Sequence, residues 1–125
     1  MTASLTFIES PPGFDALVDF TLEDVAGAPG LFVLRPDSER GIRMFVIDAS
    51  LYLPDYAPVL SDTQAAALEL TRAEDALLLV VANPGDDGTT VNLMAPIVVN
   101  STTGRCAQVI LDDAVWPLRA PLRAA

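Results

Sequence analysis

The stretch Thr90-Val91-Asn92-Leu93-Met94-Ala95-Pro96-Ile97-Val98-Val99-Asn100 runs without a break into Ser101-Thr102-Thr103-Gly104-Arg105-Cys106-Ala107-Gln108-Val109-Ile110-Leu111. Val91, Leu93, Ala95, Ile97 and Val99 occupy alternate positions, and a period of two puts them on one face of a long strand. Asn92 and Asn100 bracket the other side. The polar run Ser101–Gly104 predicts a hairpin loop, with Gly104 free to take a positive φ. Pro96 has no N–H to donate, so the strand needs an unpaired site there, at a sheet edge or a bulge.

Upstream of this hairpin, Leu77-Leu78-Leu79-Val80-Val81-Ala82 is apolar without alternation, which predicts a strand covered on both faces. Asn83-Pro84-Gly85-Asp86-Asp87-Gly88 reads as a loop. Ser61-Asp62-Thr63-Gln64 has the pattern of a capping box, and Ala65-Ala66-Ala67-Leu68 favours helix, so one short helix is expected, ending near Thr71. Before it, Leu17–Leu22, Leu31–Leu34 and Ile42–Ile47 read as strands, and Leu51-Tyr52-Leu53 as extended chain up to Pro54. Leu5–Ile8 reads as a short first strand, ended by Pro11-Pro12-Gly13. Short strands, frequent turn signals and a single helix predict a mainly β fold: a compact antiparallel β-barrel or sandwich with one short helix. The expected organisation is a single β domain over residues 1–113 and a flexible C-terminal tail over 114–125, with Trp116 able to pack back.

The chain has 125 residues, enough for one domain with a real core, and 51% of them are hydrophobic. No apolar run approaches the roughly 20 residues needed to cross a bilayer, so no membrane partner is expected. The start, Met-Thr-Ala-Ser-Leu-Thr-Phe-Ile-Glu, lacks a basic and then apolar leader, which points to the cytoplasm. The net charge is −10, and all seven basic residues are arginine. Such a surface disfavours nucleic acid and favours a basic protein, or it serves solubility alone.

The absence of histidine removes Ser-His-Asp and Cys-His catalysis and His-ligated zinc. The single Cys106, mid-strand among Ala107, Val109 and Ile110, reads as a small buried hydrophobe, and no cofactor is expected. Asp86-Asp87 and Asp112-Asp113 are adjacent carboxylates, whereas a glycosidase needs two placed across a cleft. They read as solvated loop charges, so the chain is expected not to be an enzyme; a small carboxylate-based hydrolase or sugar-binding domain is the rival reading. In Pro54-Asp55-Tyr56-Ala57-Pro58 two prolines stiffen a segment carrying a carboxylate and a phenol. Asp55 and Tyr56 are candidate contacts for a partner, because tyrosine buries much area while losing few rotamers; alternatively Tyr56 packs on the core and Asp55 closes a turn. Asn92 and Asn100 are candidate contacts too, or they satisfy backbone groups left free beside Pro96.

The pattern Asn92-Leu93-x-Ala95-Pro96-Ile97-Val98-x-Asn100, followed by a hairpin and Gln108-Val109-Ile110-Leu111, resembles the C-terminal signature of the flagellar assembly factor FliW family. Pro12-Gly13-Phe14, Met44-Phe45-Val46-Ile47-Asp48 with Pro54-Asp55-Tyr56, and Ala76–Val81 resemble further segments of that family in the same order. The stretch before Pro12 is shorter than the family usually has, so the first strand is expected to be reduced or absent. The resemblance implies a β-barrel-like regulatory protein, a monomer when free. It implies binding to CsrA, a basic RNA-binding translational repressor, and to flagellin, which competes and thereby couples flagellin translation to flagellar assembly. A flagellin-only chaperone is the milder alternative.

Overall fold

The computed structural model describes residues 2–9, 18–37, 43–53, 56, 58, 60–86, 88–111, 116–117 and 119–121. Its strands are β1 Thr2–Phe7, β2 Asp19–Asp24, β3 Leu31–Pro36, β4 Met44–Asp48, β5 Ala76–Gly85, β6 Gly88–Val91, β7 Ile97–Asn100, β8 Arg105–Gln108 and β9 Ala120–Pro121. The helices are α1 Ala49–Tyr52 and α2 Asp62–Ala67, and a single 3-10 turn covers Ala73–Asp75. The strand order β4-β3-β2-β1-β8-β7-β5, with β5 pairing back onto β4, closes a seven-stranded barrel. The mainly β, barrel-like fold expected from the sequence is the fold observed. One pairing departs from an all-antiparallel plan: β1 runs parallel to β8, with Thr6 opposite Arg105 and Phe7 opposite Cys106.

Alternation along each strand sends one set of side chains into the barrel. Leu5, Phe7, Phe20, Leu22, Leu34, Val46, Leu79, Ile97, Val99 and Cys106 form that interior, so every barrel strand contributes. Phe7 and Phe20 meet edge to face at 4.9 Å between ring centroids. The residues between them on β4, β5 and β7 point outward and are buried as well. Ile47, Val80 and Ala82 lie under Ala49, Tyr56, Val91 and Leu93, and Val98 lies under Leu68. The unbroken apolar run of β5 therefore has both faces covered, as its lack of alternation predicted.

The stretch 90–100 is not one long strand. β6 ends at Val91, the chain turns through Asn92–Ala95, and β7 starts at Ile97. Asn92 causes the break: its Oδ1 accepts from the N–H groups of both Met94 and Ala95, at 3.1 Å each. A side chain that captures two following amides offers the backbone a turn in place of a ladder. Pro96, without an amide, sits at the exit of that turn, and its carbonyl accepts from Val109 N at 2.9 Å. As a result β6 and β7 pair with successive stretches of β5, at 82–85 and 76–79.

Other local readings also shift. Asn83–Gly88, read as a loop, is the end of a tight hairpin with Gly85 opposite Gly88. Leu51-Tyr52 is helical instead of extended, because Asp48 caps α1 by accepting from Ser50 N at 2.9 Å. The first strand is present in full, held over five paired positions by β2. The segment 114–125, expected to be a flexible tail, is docked where it is described: β9 pairs with β6, and Leu93 N donates to Pro117 O at 3.1 Å. Apolar contacts of Trp116 and Ala120 with the outer cluster hold it there. Pro12-Gly13-Phe14 lies outside the described residues.

Candidate partner-binding surface

The predicted helix forms where its signals place it. Ser61 Oγ accepts from Gln64 N at 3.1 Å, and Gln64 Oε1 accepts from Ser61 N at 2.9 Å, completing the capping box. No residue of α2 itself is buried; Leu68, just past its end, is the side chain that plugs the helix onto β7. Glu69 then takes φ 58°, the left-handed turn that stops the helix.

Asn100 lies at the end of β7 and is buried, with 3% of its surface exposed. Its Nδ2 donates to the carbonyls of Leu68 at 2.9 Å and Glu69 at 3.3 Å, and its Oδ1 accepts from Thr102 N at 2.9 Å. One side chain thus satisfies the helix end and shapes the β7–β8 hairpin. The turn closes with Gly104 N donating to Asn100 O at 2.8 Å, and Gly104 has the expected positive φ, 81°.

Tyr56 is also buried. Its hydroxyl donates to the carbonyl of Leu93, and its ring packs edge to face with Trp116 at 4.7 Å and 87°. Tyr56, Leu93 and Trp116 therefore tie three distant parts of the chain together on the outer face of β5. Asp55 lies outside the described residues, as do Asp87, Asp112 and Asp113. Asp86 is exposed at the tip of the β5–β6 hairpin. Among the described residues no group of three potential ligands could hold a metal ion. Cys106 is fully buried in the barrel, and that burial pushes its thiol pKa up from the usual 9.0 to about 12, the opposite of a reactive cysteine.

Tyr56, Asn92 and Asn100 thus all hydrogen-bond within the fold: the Tyr56 hydroxyl to Leu93 O, the Asn92 Oδ1 from two following amides, and the Asn100 amide through both of its polar atoms. The surface around them is shaped by two open grooves, one on each side of α2. One, about 520 Å³, is lined by Tyr56, Leu60, Leu70, Ala76, Val98 and a single cation, Arg72. The other, about 410 Å³, runs between α2 and the chain that continues β8, and is lined by Ile8, Glu9, Gln64, Leu68, Val109 and Ile110. A third, about 250 Å³, lies beside Phe45 and Tyr52 on the far face of β4. Sequence reasoning did not single out Ile8, Ile110 or Leu51, the exposed large apolar side chains among the described residues.

This arrangement of strands matches a family of known proteins. A family model described as FliW protein matches residues 2–122. The flagellar assembly factor FliW of Caldicellulosiruptor saccharolyticus is 34% identical over 115 residues, covering 90% of this chain and 75% of the relative. That of Syntrophotalea carbinolica is 30% identical over 122 residues, covering 97% of this chain and 87% of the relative. A crystal structure of the flagellar assembly factor FliW superposes with a TM-score of 0.89 at 27% identity, covering 98% of this chain and 86% of the other. The barrel, its register and the residues that carry the match extend over nearly the whole chain, and this protein belongs to the FliW family.

Proposed function

We propose that this chain is a cytoplasmic, non-catalytic regulator that binds and antagonises the translational repressor CsrA, and that flagellin competes for it. Flagellin held by the chain frees CsrA to repress flagellin translation; flagellin leaving by export returns the chain to CsrA. The observation that carries this reading is the family match over residues 2–122. The physical setting supports it. A net charge of −10 complements a basic partner and opposes nucleic acid, and apolar grooves on both sides of α2 offer area to bury. Among the described residues no helix is long and apolar enough to cross a membrane.

Asp55, Tyr56, Asn92 and Asn100 belong to the proposed partner-binding region in two ways. Asp55 supplies a direct charge contact. Tyr56, Asn92 and Asn100 act through the loops that their internal hydrogen bonds hold in shape.

The test is a translation assay with a flagellin-leader reporter, adding CsrA, then this protein, then flagellin. The expected result is repression, relief and renewed repression. A chain that binds flagellin but leaves repression untouched is a flagellin chaperone only. A chain that binds neither partner refutes the proposal. Asp55→Arg is expected to weaken partner binding with the fold intact; if it binds as wild type does, Asp55 is not a contact.

A further inference from the structure

The sheet ends in a short strap. β9 stands last in the strand order, beyond β6, and is two residues long. Its backbone hold is thin: Ala120 lies opposite Val91, Pro121 lies opposite Thr90, and Leu93 N donates to Pro117 O at 3.1 Å. Neither Pro117 nor Pro121 has an N–H to give in return. The main anchor is the half-buried Trp116, packed edge to face on Tyr56 at 4.7 Å. Beneath the strap lies apolar surface. Val91 is fully buried and Tyr56 and Leu93 nearly so, and Trp116 and Ala120 pack against that cluster. With the strap lifted, β6 would present an open edge carrying Thr89, Thr90 and Val91, all good strand formers.

Charge sets the C-terminal segment apart from the body it rests on. Residues 114–125 contain Arg119 and Arg123 and no acidic residue, which leaves five basic against seventeen acidic residues in the rest of the chain. The bodies of two copies therefore repel one another, while each attracts the strap of the other. The segment that fits the β6 edge is present in every copy. A weakly held terminal strand over its own complementary edge is the arrangement that permits exchange between copies. The prolines limit the result. With Pro117 and Pro121 in the outermost segment, the strap offers poor pairing to any further strand, so exchange closes as a two-fold dimer instead of growing into a fibre.

We propose that the C-terminal strap is a releasable strand, and that the β6 edge it leaves takes the same strap from a second copy of this chain, in reciprocal exchange. Trp116 is the latch. In the closed chain it rests on Tyr56 of its own copy, and in the exchanged dimer on the partner's Tyr56. Both states hold the same contacts, so concentration decides between them. Leu111 N, bound to Met94 O at 2.8 Å, is the last described tether before the strap. The five steps from Leu111 to Trp116 reach at most about 17 Å, so the two bodies must come close. Salt that screens their repulsion is therefore expected to favour the dimer.

The experiment uses the full chain and the register of the strap. Thr90 and Pro121 are directly opposite, so Thr90→Cys and Pro121→Cys report where the strap lies; the native Cys106 is buried in the barrel. Both substitutions in one chain are expected to oxidise to an internal disulfide that locks the strap closed. The two single variants, mixed in equal amounts at high concentration and oxidised, are expected to form a bond between position 90 of one copy and position 121 of the other, mapped by proteolysis. Its yield is expected to rise with salt, and adding Trp116→Ala to both is expected to speed its formation by about fivefold or more, since the aromatic latch is gone. Light scattering on the unaltered protein is expected to show dimer growing with concentration, and on the locked variant monomer throughout. Should a cysteine variant unfold, the light scattering of the unaltered protein decides: a monomer at every concentration and salt overturns the proposal. An internal bond in the double variant with no bond between copies in the mixture overturns it also, because the strap then never leaves. A locked variant that dimerises as the unaltered protein does places the contact on another surface and overturns strand exchange.

Discussion

Asn100 Nδ2 lies 2.9 Å from the carbonyl oxygen of Leu68, so the last residue of β7 holds the end of α2 against the barrel. The bond spans 32 positions in sequence and is buried. It joins the part of the chain that closes the barrel to the helix that separates the two grooves. Any partner that grips either groove therefore meets a surface whose shape depends on one amide.

Asn100→Ala removes the donor for two helix-end carbonyls and the acceptor for Thr102 N. Buried carbonyls without a donor cost about 1–3 kcal/mol, so a loss of that size is expected in urea unfolding. Asn100→Asp is expected to cost at least as much, since a carboxylate facing carbonyl oxygens repels them. An unchanged midpoint for both variants would show that α2 is held by Leu68 alone.

Tyr56→Phe keeps the ring against Trp116 and removes the hydroxyl from Leu93 O. It is expected to cost about 0.5–1.5 kcal/mol. Tyr56→Ala also removes the buried ring and is expected to cost about 3–5 kcal/mol. Trp116 is the single tryptophan, so its emission reports the contact directly. A red shift is expected with Tyr56→Ala and little change with Tyr56→Phe; the same spectrum in all three proteins would mean that Trp116 does not rest on Tyr56 in solution.

Gly104 has φ 81°, and a Cβ there would come within 2.7 Å of the Ser4 carbonyl oxygen. Gly104→Ala faces both a left-handed backbone and a clash with the backbone of β1, which has little room to yield. A loss of more than about 1 kcal/mol is expected. Gly27 is the contrast: φ 79° with nothing within 4 Å of an added Cβ, so Gly27→Ala should cost less than Gly104→Ala. Equal costs would place the whole penalty in the backbone conformation and none in the approach of β1.

Cys106 is buried among apolar side chains, and desolvation holds its pKa near 12 against an ordinary value of 9.0. The native state keeps its proton where the unfolded chain has lost it. The unfolded state therefore binds fewer protons between those two values, and stability is expected to fall as pH rises through that window. Below the ordinary value this contribution is constant. Comparing alkaline unfolding of wild type with Cys106→Ala isolates it, since the alanine variant should lack that part of the decline. In native protein near pH 8 the thiol is expected to resist a disulfide reagent and to react only after denaturant is added; prompt labelling would show that the barrel opens.

Much of the architecture was readable from local signals. The capping box of Ser61 and Gln64, the positive φ of Gly104 and the double-sided burial of Leu77–Val81 depend on residues close in sequence, and each appears where its pattern placed it. The local chemistry of Asn92 was legible too, yet alternation from Val91 to Val99 argued for one strand. An alternating pattern is the same whether the strand is continuous or interrupted by a turn that preserves the apolar phase.

What the sequence determined by itself was the class of fold, the family and the buried character of Cys106, because these rest on periodicity, motif order and composition. What the tertiary structure decided was the parallel closure of β1 on β8, the splitting of 90–100 along one edge of β5, and the docking of Trp116 onto Tyr56. It also decided that Tyr56 and Asn100 are buried beneath other elements while Ile8 and Ile110 stay exposed. The reason is physical: an amide or a phenol is spent on a partner when a carbonyl stands within about 3 Å, and an isoleucine stays exposed when no element arrives to cover it. Both conditions are set by residues tens of positions away, at distances that exist only once the barrel has closed.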